Sequence, residues 1–308
     1  MINIYKTIEN NLTTLPEPVA GCWINVIDPT PQEIISLTNL GIPHDYLIYS
    51  LDPDERPRTE RDGDLLIILR VPVYQGERVD IPFITIPLGI ILTDQFLVTV
   101  CKVNNDILEH FSSGHRRGLS TAKRYRFILQ ILLATANDYL AHLRQITRRV
   151  DALEDQLQLS TRNREVLELL KYQKSLTIFT TALKSNELML KRLQQSLIFK
   201  TYPEDEDLLE DVLTETQQAI EMTNIESYIL SSMMDAFASI ISNNLNGIMK
   251  FLASITIILS LPTMIASFFG MNVDLPFDEH RMAFIYTLLI SLFLVLIVGI
   301  IFWRRDWL

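Results

Sequence analysis

Residues 251–273 read FLASITIILSLPTMIASFFGMNV and residues 282–303 read MAFIYTLLISLFLVLIVGIIFW; neither stretch carries a charge. A helix needs about 20 apolar residues to cross a hydrocarbon core, so each stretch predicts a membrane span and the segment between them a short connecting loop. The two spans account for a composition that is 48% hydrophobic with a mean hydropathy of +0.19, high for a soluble chain of 308 residues. Flanking charges orient the pair. Lys250 enters the first span and Arg304 and Arg305 follow the second, whereas the loop holds Asp274, Asp278 and Glu279 against Arg281 alone. The positive-inside bias then places both termini in the cytoplasm and the acidic loop outside. The start, MINIYKTIENNLTT, has no basic opening and no apolar core, so no cleavable signal peptide is expected.

Composition excludes several functions. Two cysteines, Cys22 and Cys101, are too few for a disulfide framework or a multi-cysteine metal site; in their apolar contexts they read as buried core thiols. A formal net charge of −10 speaks against general nucleic-acid binding. It is compatible with cation binding, and equally with a surface that is acidic only for solubility. No glycine-rich phosphate loop occurs and no nucleophile, base and metal ligands converge, so neither an enzymatic activity nor a cofactor is expected. His44, His110, His115, His142 and His280 lack the close-paired spacing of a dedicated zinc site.

The first hundred residues alternate strand and helix signals, which predicts a small cytoplasmic α/β domain over 1–119. CWINVID reads as a strand, followed by a helix with Thr30 as N-cap, Pro31 in the first turn and Glu33 closing a capping box, stopped by Gly41-Ile42-Pro43. A short helix is expected at 44–50 and a polar loop at 52–64. Three apolar, β-branched runs follow at 65–74, 83–92 and 95–102, the last two joined at Thr93-Asp94. From 120 onward the spacing is helical. Two long antiparallel helices are expected within 120–200, over 121–159 and 164–198, with a break at Tyr202-Pro203. A third helix starts near Glu204 and meets no Gly or Pro before Gly247. It is therefore predicted to form a stalk over 204–250 continuous with the first span at 251–269, some sixty residues or about 90 Å long at 1.5 Å per residue. The loop takes 270–281, the second span 282–303 and a basic tail 304–308. So long a helix needs partners, either the two helices before it or copies of itself.

Steps of three and four along that helix pass through Ser232, Asp235, Ser239, Ser242, Asn246, Met249, Ala253, Thr256, Ser260, Thr263, Ser267 and Gly270. Apart from Met249, every member is small or polar. Of the Ser and Thr residues in the span only Ser254 falls off the line, an arrangement with a chance of roughly one in twenty-five over the seven heptad phases. Small hydroxylated residues also let membrane helices pack closely. Asp235 and Asn246 gain little from tight packing and more from water. In a ring of parallel helices the line would face the axis as stacked oxygen rings, an environment suited to a hydrated hard cation such as Mg2+, which sheds its inner waters reluctantly.

The Gly270-Met271-Asn272 triplet closing the first of two C-terminal spans, after a very long helix and before a basic end, resembles the CorA-type magnesium transporters. The likeness is densest over 211–308, including Asn246, Lys250 and the terminal Trp307-Leu308, and thinner at Trp23-Ile24-Asn25, Gly41-Ile42 and Arg56-Pro57. It implies a funnel-shaped homopentamer in the plasma (inner) membrane: an α+β cytoplasmic domain, a long helical stalk and two C-terminal transmembrane helices. It further implies that Asn272 binds the hydrated ion at the outer mouth while Gly270 and Met271 hold the turn. Asp235, Ser242, Asn246, Met249, Leu252, Thr256, Ser260, Thr263 and Ser267 would line the pore, with Met249 and Leu252 as a constriction that gates by dewetting. Family members also close when Mg2+ binds between subunits. Asp211 falls on one such carboxylate, but the partner position holds Tyr49, leaving Asp45, Asp52 or Asp54 as substitutes; an Asp near a helix start also has the ordinary role of complementing the helix dipole. The expected function is Mg2+ uptake down the electrochemical gradient, with Co2+ and Ni2+ as further ions. The alternatives are a zinc transporter of the related branch, proton-coupled or not, and a membrane-anchored helical scaffold.

Overall fold

The computed structural model describes residues 1–9, 11–113, 119–159, 163–199, 202–271 and 282–307. They belong to two compact units, Met1–Met234 and Asp235–Leu308.

In the first unit the chain runs β1 (Ile2–Ile8), β2 (Asn11–Leu15), β3 (Trp23–Ile27), α1 (Pro31–Asn39), α2 (His44–Leu51), β4 (Arg58–Asp62), β5 (Asp64–Tyr74), β6 (Phe83–Leu92), β7 (Leu97–Cys101), α3 (Asp106–Ser112), α4 (Arg124–Leu159) and α5 (Asn163–Gln195). The strands form one seven-stranded sheet in the order β2-β1-β3-β7-β6-β5-β4. β3 and β7 pair in parallel, Trp23 opposite Leu97 and Ile27 opposite Cys101, and the remaining pairs are antiparallel. Both faces of the sheet are covered, which is why its central strands read as unbroken apolar runs. Alternate residues Ile67, Leu69 and Val71 join the core shared with α3 and α4, while Leu66 and Ile68 join the one under α1 and α2.

Local chemistry sets the helix ends. Thr30 Oγ1 accepts from the Glu33 backbone N–H at 3.3 Å and the Glu33 carboxylate accepts from the Thr30 N–H at 2.8 Å, so the expected capping box is formed. Gly41, at φ +90°, ends α1 in a left-handed turn that returns the Ile42 N–H to the Leu37 carbonyl. α2 then lies so close to β6 that a β-carbon on Gly89 would sit 1.8 Å from Ser50 Oγ.

Two readings need correction. The segment 52–64, read as a polar loop, contains β4, and the first fifteen residues, read only for a leader, form the β1–β2 hairpin. β2 and β4 are the outermost strands of the sheet. Edge strands carry charged and polar residues because one side meets solvent and must not recruit other chains, so RTERD has no apolar alternation to betray it. The sheet therefore holds more strands than the apolar runs alone reveal. α3, capped by Asn105 accepting from the Leu108 N–H at 3.0 Å, also lies outside the sequence expectation.

The third long helix, α6 (Pro203–Phe269), is 67 residues without interruption. Pro203 opens it and Glu204, Asp205 and Glu206 complement the positive end of its dipole. Arg126 of α4 fastens this end, its Nε 2.7 Å from Asp205 and its terminal nitrogen 2.6 Å from Glu204. α6 continues through Gly247 and Pro262. An interior proline costs about 3 kcal/mol in water, but membrane helices tolerate it because local adjustments re-satisfy the freed carbonyl. The second unit consists of the rest of α6 and α7 (Ala283–Arg304). Both helices are long and apolar enough to cross a membrane.

Candidate ion pathway

All twelve positions of the three-and-four line, Ser232 through Gly270, are exposed. By contrast the buried side chains among the described residues of α6 beyond Met234 are Phe237, Ser254 and Ile265, on other faces of the helix. Ser254, the hydroxyl that falls off the line, is fully buried. The span thus shows its small and hydroxylated side chains outward and keeps the misfit serine within.

Five of the seven hydroxyls on the line donate back to a carbonyl three or four residues earlier in the helix. Ser239 donates to the Asp235 carbonyl at 3.0 Å, Thr256 to Leu252 at 2.8 Å, Ser260 to Ile257 at 2.8 Å, Thr263 to Leu259 at 3.4 Å and Ser267 to Thr263 at 2.8 Å. Each of these five protons is spent on the helix backbone, as is usual for Ser and Thr within helices. The oxygen lone pairs face away from that bond, so the exposed groups act as acceptors. A row of acceptors matches the outward-pointing hydrogens of a hydrated cation. Asp235 and Asn246 add a carboxylate and an amide to the same exposed line; Met249 on it and Leu252 beside it, each 57% exposed, are the large apolar side chains of the predicted constriction.

At the far end of α6 the Gly270 N–H reaches the Ala266 and Ser267 carbonyls and the Met271 N–H the Phe268 carbonyl at 3.2 Å, a tightened last turn. Met271 is exposed. Asn272 and the rest of 272–281 lie outside the described residues.

The candidate regulatory residues are not brought together within the chain. Asp211, Asp45 and Asp52 are exposed, and among the described residues no three His, Cys, Asp or Glu side chains are grouped to hold a metal. Asp54 donates its backbone N–H to Asp52 Oδ1 at 3.0 Å, a local turn. Tyr49 is half-buried beneath the Arg58 guanidinium, 4.7 Å from the ring centroid, and Arg58 is itself paired with Glu55 at 3.2 Å and with Glu60. A fixed cation therefore already occupies the surface beside Tyr49.

The line predicted from the sequence starts at Ser232. Continued backward at the same spacing it passes Tyr228, Ile225, Glu221, Gln218, Thr214, Asp211, Asp207 and Glu204, all exposed. The signal was the spacing itself, masked by residue size.

A sequence model of the family described as CorA-like Mg2+ transporter protein matches residues 20–305. The cobalt/magnesium transport protein CorA of Methanocaldococcus jannaschii is 30% identical over 298 residues, covering 92% of this chain and 90% of that protein. The protein of the same name from Thermotoga maritima is 24% identical over 304 residues, covering 93% and 83%. The complete structure of the M. jannaschii magnesium transporter superposes with a TM-score of 0.87 at 25% identity, over 100% of this chain and 99% of that one.

Proposed function

The chain belongs to the CorA-like Mg2+ transporter family, and from that premise we propose that it is a homopentameric pore admitting Mg2+ to the cytoplasm, with Co2+ and Ni2+ as further ions. The coarser statement, a membrane protein for divalent-cation transport, rests on family membership and the two apolar helices. The finer one is carried by a single observation: every position of the hydroxyl and amide line on α6 is exposed. Polar side chains within a span usually face the bundle interior or a water-filled cavity, and copies of α6 arranged about an axis would turn this line inward. Ser267, Thr263, Ser260, Thr256, Asn246 and Ser242 then form acceptor rings that touch the ion through its waters. Asp235 gathers cations at the inner end, and Met249 with Leu252 forms the narrow, dewetting segment.

Lys250, Arg304 and Arg305 orient both termini to the cytoplasm in the plasma membrane. Asn272, held by the Gly270-Met271 turn, meets the hydrated ion outside. A divalent ion crossing 100 mV gains about 4.6 kcal/mol, twice the single-charge value, so inward flow needs no phosphate hydrolysis. For regulation, Asp211 would bind Mg2+ across a subunit boundary with Asp45 or Asp52, the neighbourhood of Tyr49 being already occupied by Arg58.

Ion flux into liposomes, with Mg2+, Zn2+ and Co2+ in parallel, tests the reading. Mg2+ entry driven by an inside-negative potential and lost in Asn272→Ala is the expected result. Equal Mg2+ flux in that variant removes the role given to the triplet. Zn2+ carried alone, and only with a proton gradient, replaces magnesium by the zinc reading; a dimer in detergent ends the pore model.

A further inference from the structure

The C-terminal end of α7 is built more carefully than a frayed helix terminus requires. Asp306 takes the left-handed conformation, φ +54°, which a β-carbon disfavours, and its N–H returns to the Trp303 carbonyl at 3.2 Å. The Trp307 N–H then reaches the Phe302 carbonyl at 3.0 Å, and the Trp307 ring stacks on Phe302 with centroids 5.3 Å apart and planes 15° from parallel. This is the closing turn used at Gly41 of α1, complete with its hydrophobic contact, but made with Asp where Gly would be unstrained. It holds Arg304 and Arg305, both exposed, between Trp303, 71% exposed, and the docked Trp307.

Lys250, on α6, is at the same depth. At 1.5 Å per residue, Lys250 lies about 29 Å along α6 from Phe269, and Arg304 about 32 Å along α7 from Ala283. Both distances match the roughly 30 Å thickness of a hydrocarbon core. Measured from the connecting loop, the exposed Lys250 and the arginine pair therefore reach one membrane boundary together, where Asp306 is the carboxylate side chain among the described residues of α7 and its closing turn. Tryptophan at this depth is an interfacial anchor, and each cation near an anionic leaflet favours binding by about fivefold.

We propose that Lys250, Arg304 and Arg305, pinned by the Asp306–Trp307 turn, form a docking site for the headgroup phosphate of an anionic lipid. The site rests on reading the two apolar helices as membrane spans. It does not depend on which ion the pore carries. Its occupant is a lipid rather than a free anion because the cations sit where two uncharged, predominantly apolar spans end, with Trp303 and Trp307 beside the arginine pair.

The test uses the full-length protein extracted from bilayers of equal parts phosphatidylglycerol and phosphatidylcholine, with the retained lipids counted by native mass spectrometry. Wild type is expected to keep phosphatidylglycerol over phosphatidylcholine by about tenfold or more, as expected of at least two cations. The double variant Arg304→Gln, Arg305→Gln should fall to near parity. Arg304→Lys, Arg305→Lys should retain the preference, which separates charge from folding, and Trp307→Ala should weaken it by about threefold through loss of positioning. No preference in wild type, an unchanged preference in the double Gln variant, or release of the lipid by inorganic phosphate would each overturn the site. Flux in pure phosphatidylcholine liposomes keeps the two readings apart: flux without lipid preference sinks the lipid site and leaves the pore, and lipid preference without flux does the reverse.

Discussion

The two parts of α6 on either side of Met234 have the same secondary structure and opposite surroundings. Before Met234, one face is buried in its own chain: Leu209, Val212, Thr216, Ala219, Thr223 and Leu230 are covered, and Glu226 accepts from Thr147 of α4 at 2.7 Å. After Met234, three described side chains are buried and long apolar residues such as Leu245, Ile248, Leu259 and Met264 stand exposed. The earlier part is completed by intrachain packing. The later part leaves its surface to lipid and, in the proposed assembly, to copies of itself. The α/β unit can thus specify its own fold, whereas the proposed ion pathway would acquire walls only through association.

The sharpest way to break that comparison is to change the exposed line without touching the packed part. Thr256→Leu with Ser260→Leu should lower Mg2+ flux to background, because apolar rings extend the dewetted segment, while detergent-phase oligomer size and circular dichroism stay as in wild type. Flux near wild type would show that this line is not the pathway. Packing in the earlier part should answer differently. Leu209→Ala, at a 4% exposed position, should cost about 2–5 kcal/mol, read as a lower melting temperature. Leu259→Ala, 67% exposed, should cost under about 1 kcal/mol.

Smaller effects sharpen how the earlier part is held. Arg126→Ala leaves Asp205, whose side chain is 6% exposed, without its cation; a fully buried pair would lose about 3–5 kcal/mol, and about 2 kcal/mol is expected here because Arg126 is partly solvated. Smallest is the pH response of Asp138. Burial pushes its carboxyl above the ordinary range, His142 at 3.6 Å opposes that shift, and Asp106 across the cleft between α3 and α4 adds to it. A raised folded-state value means the protonated form is favoured by folding. That contribution is complete below the unfolded carboxylate value and is lost as pH rises through the folded one. Asp138→Asn cannot ionise, so its melting temperature should gain a few degrees on wild type as pH rises from about 4, the ordinary carboxylate value, across the range in which the folded carboxyl ionises. A constant difference across that range would assign the effect to packing instead.

Much of this was legible in the residues. The capping box at Thr30 and Glu33, the stop at Gly41 and the run of α6 from Pro203 all follow from local rules, each needing only a few neighbouring side chains. The exposed line was legible as a spacing, though its extension back to Glu204 was hidden by Tyr228 and Ile225. β4 was not legible, because RTERD becomes a strand only by pairing with β5 at the sheet's edge. The Arg58 guanidinium over Tyr49 is likewise a contact across residues that no local pattern announces.

By itself the sequence determined two membrane-length apolar helices, the unbroken helix leading into the first of them and the polar line along it, since these are properties of composition and period within one element. The tertiary structure alone decided that the sheet has seven strands with β3 parallel to β7 and that Ser254 is covered while its fellow hydroxyls are not. It also decided that Asp205 is clamped by Arg126. Those facts depend on groups far apart in the chain, and only folding brings them to hydrogen-bonding and van der Waals distance.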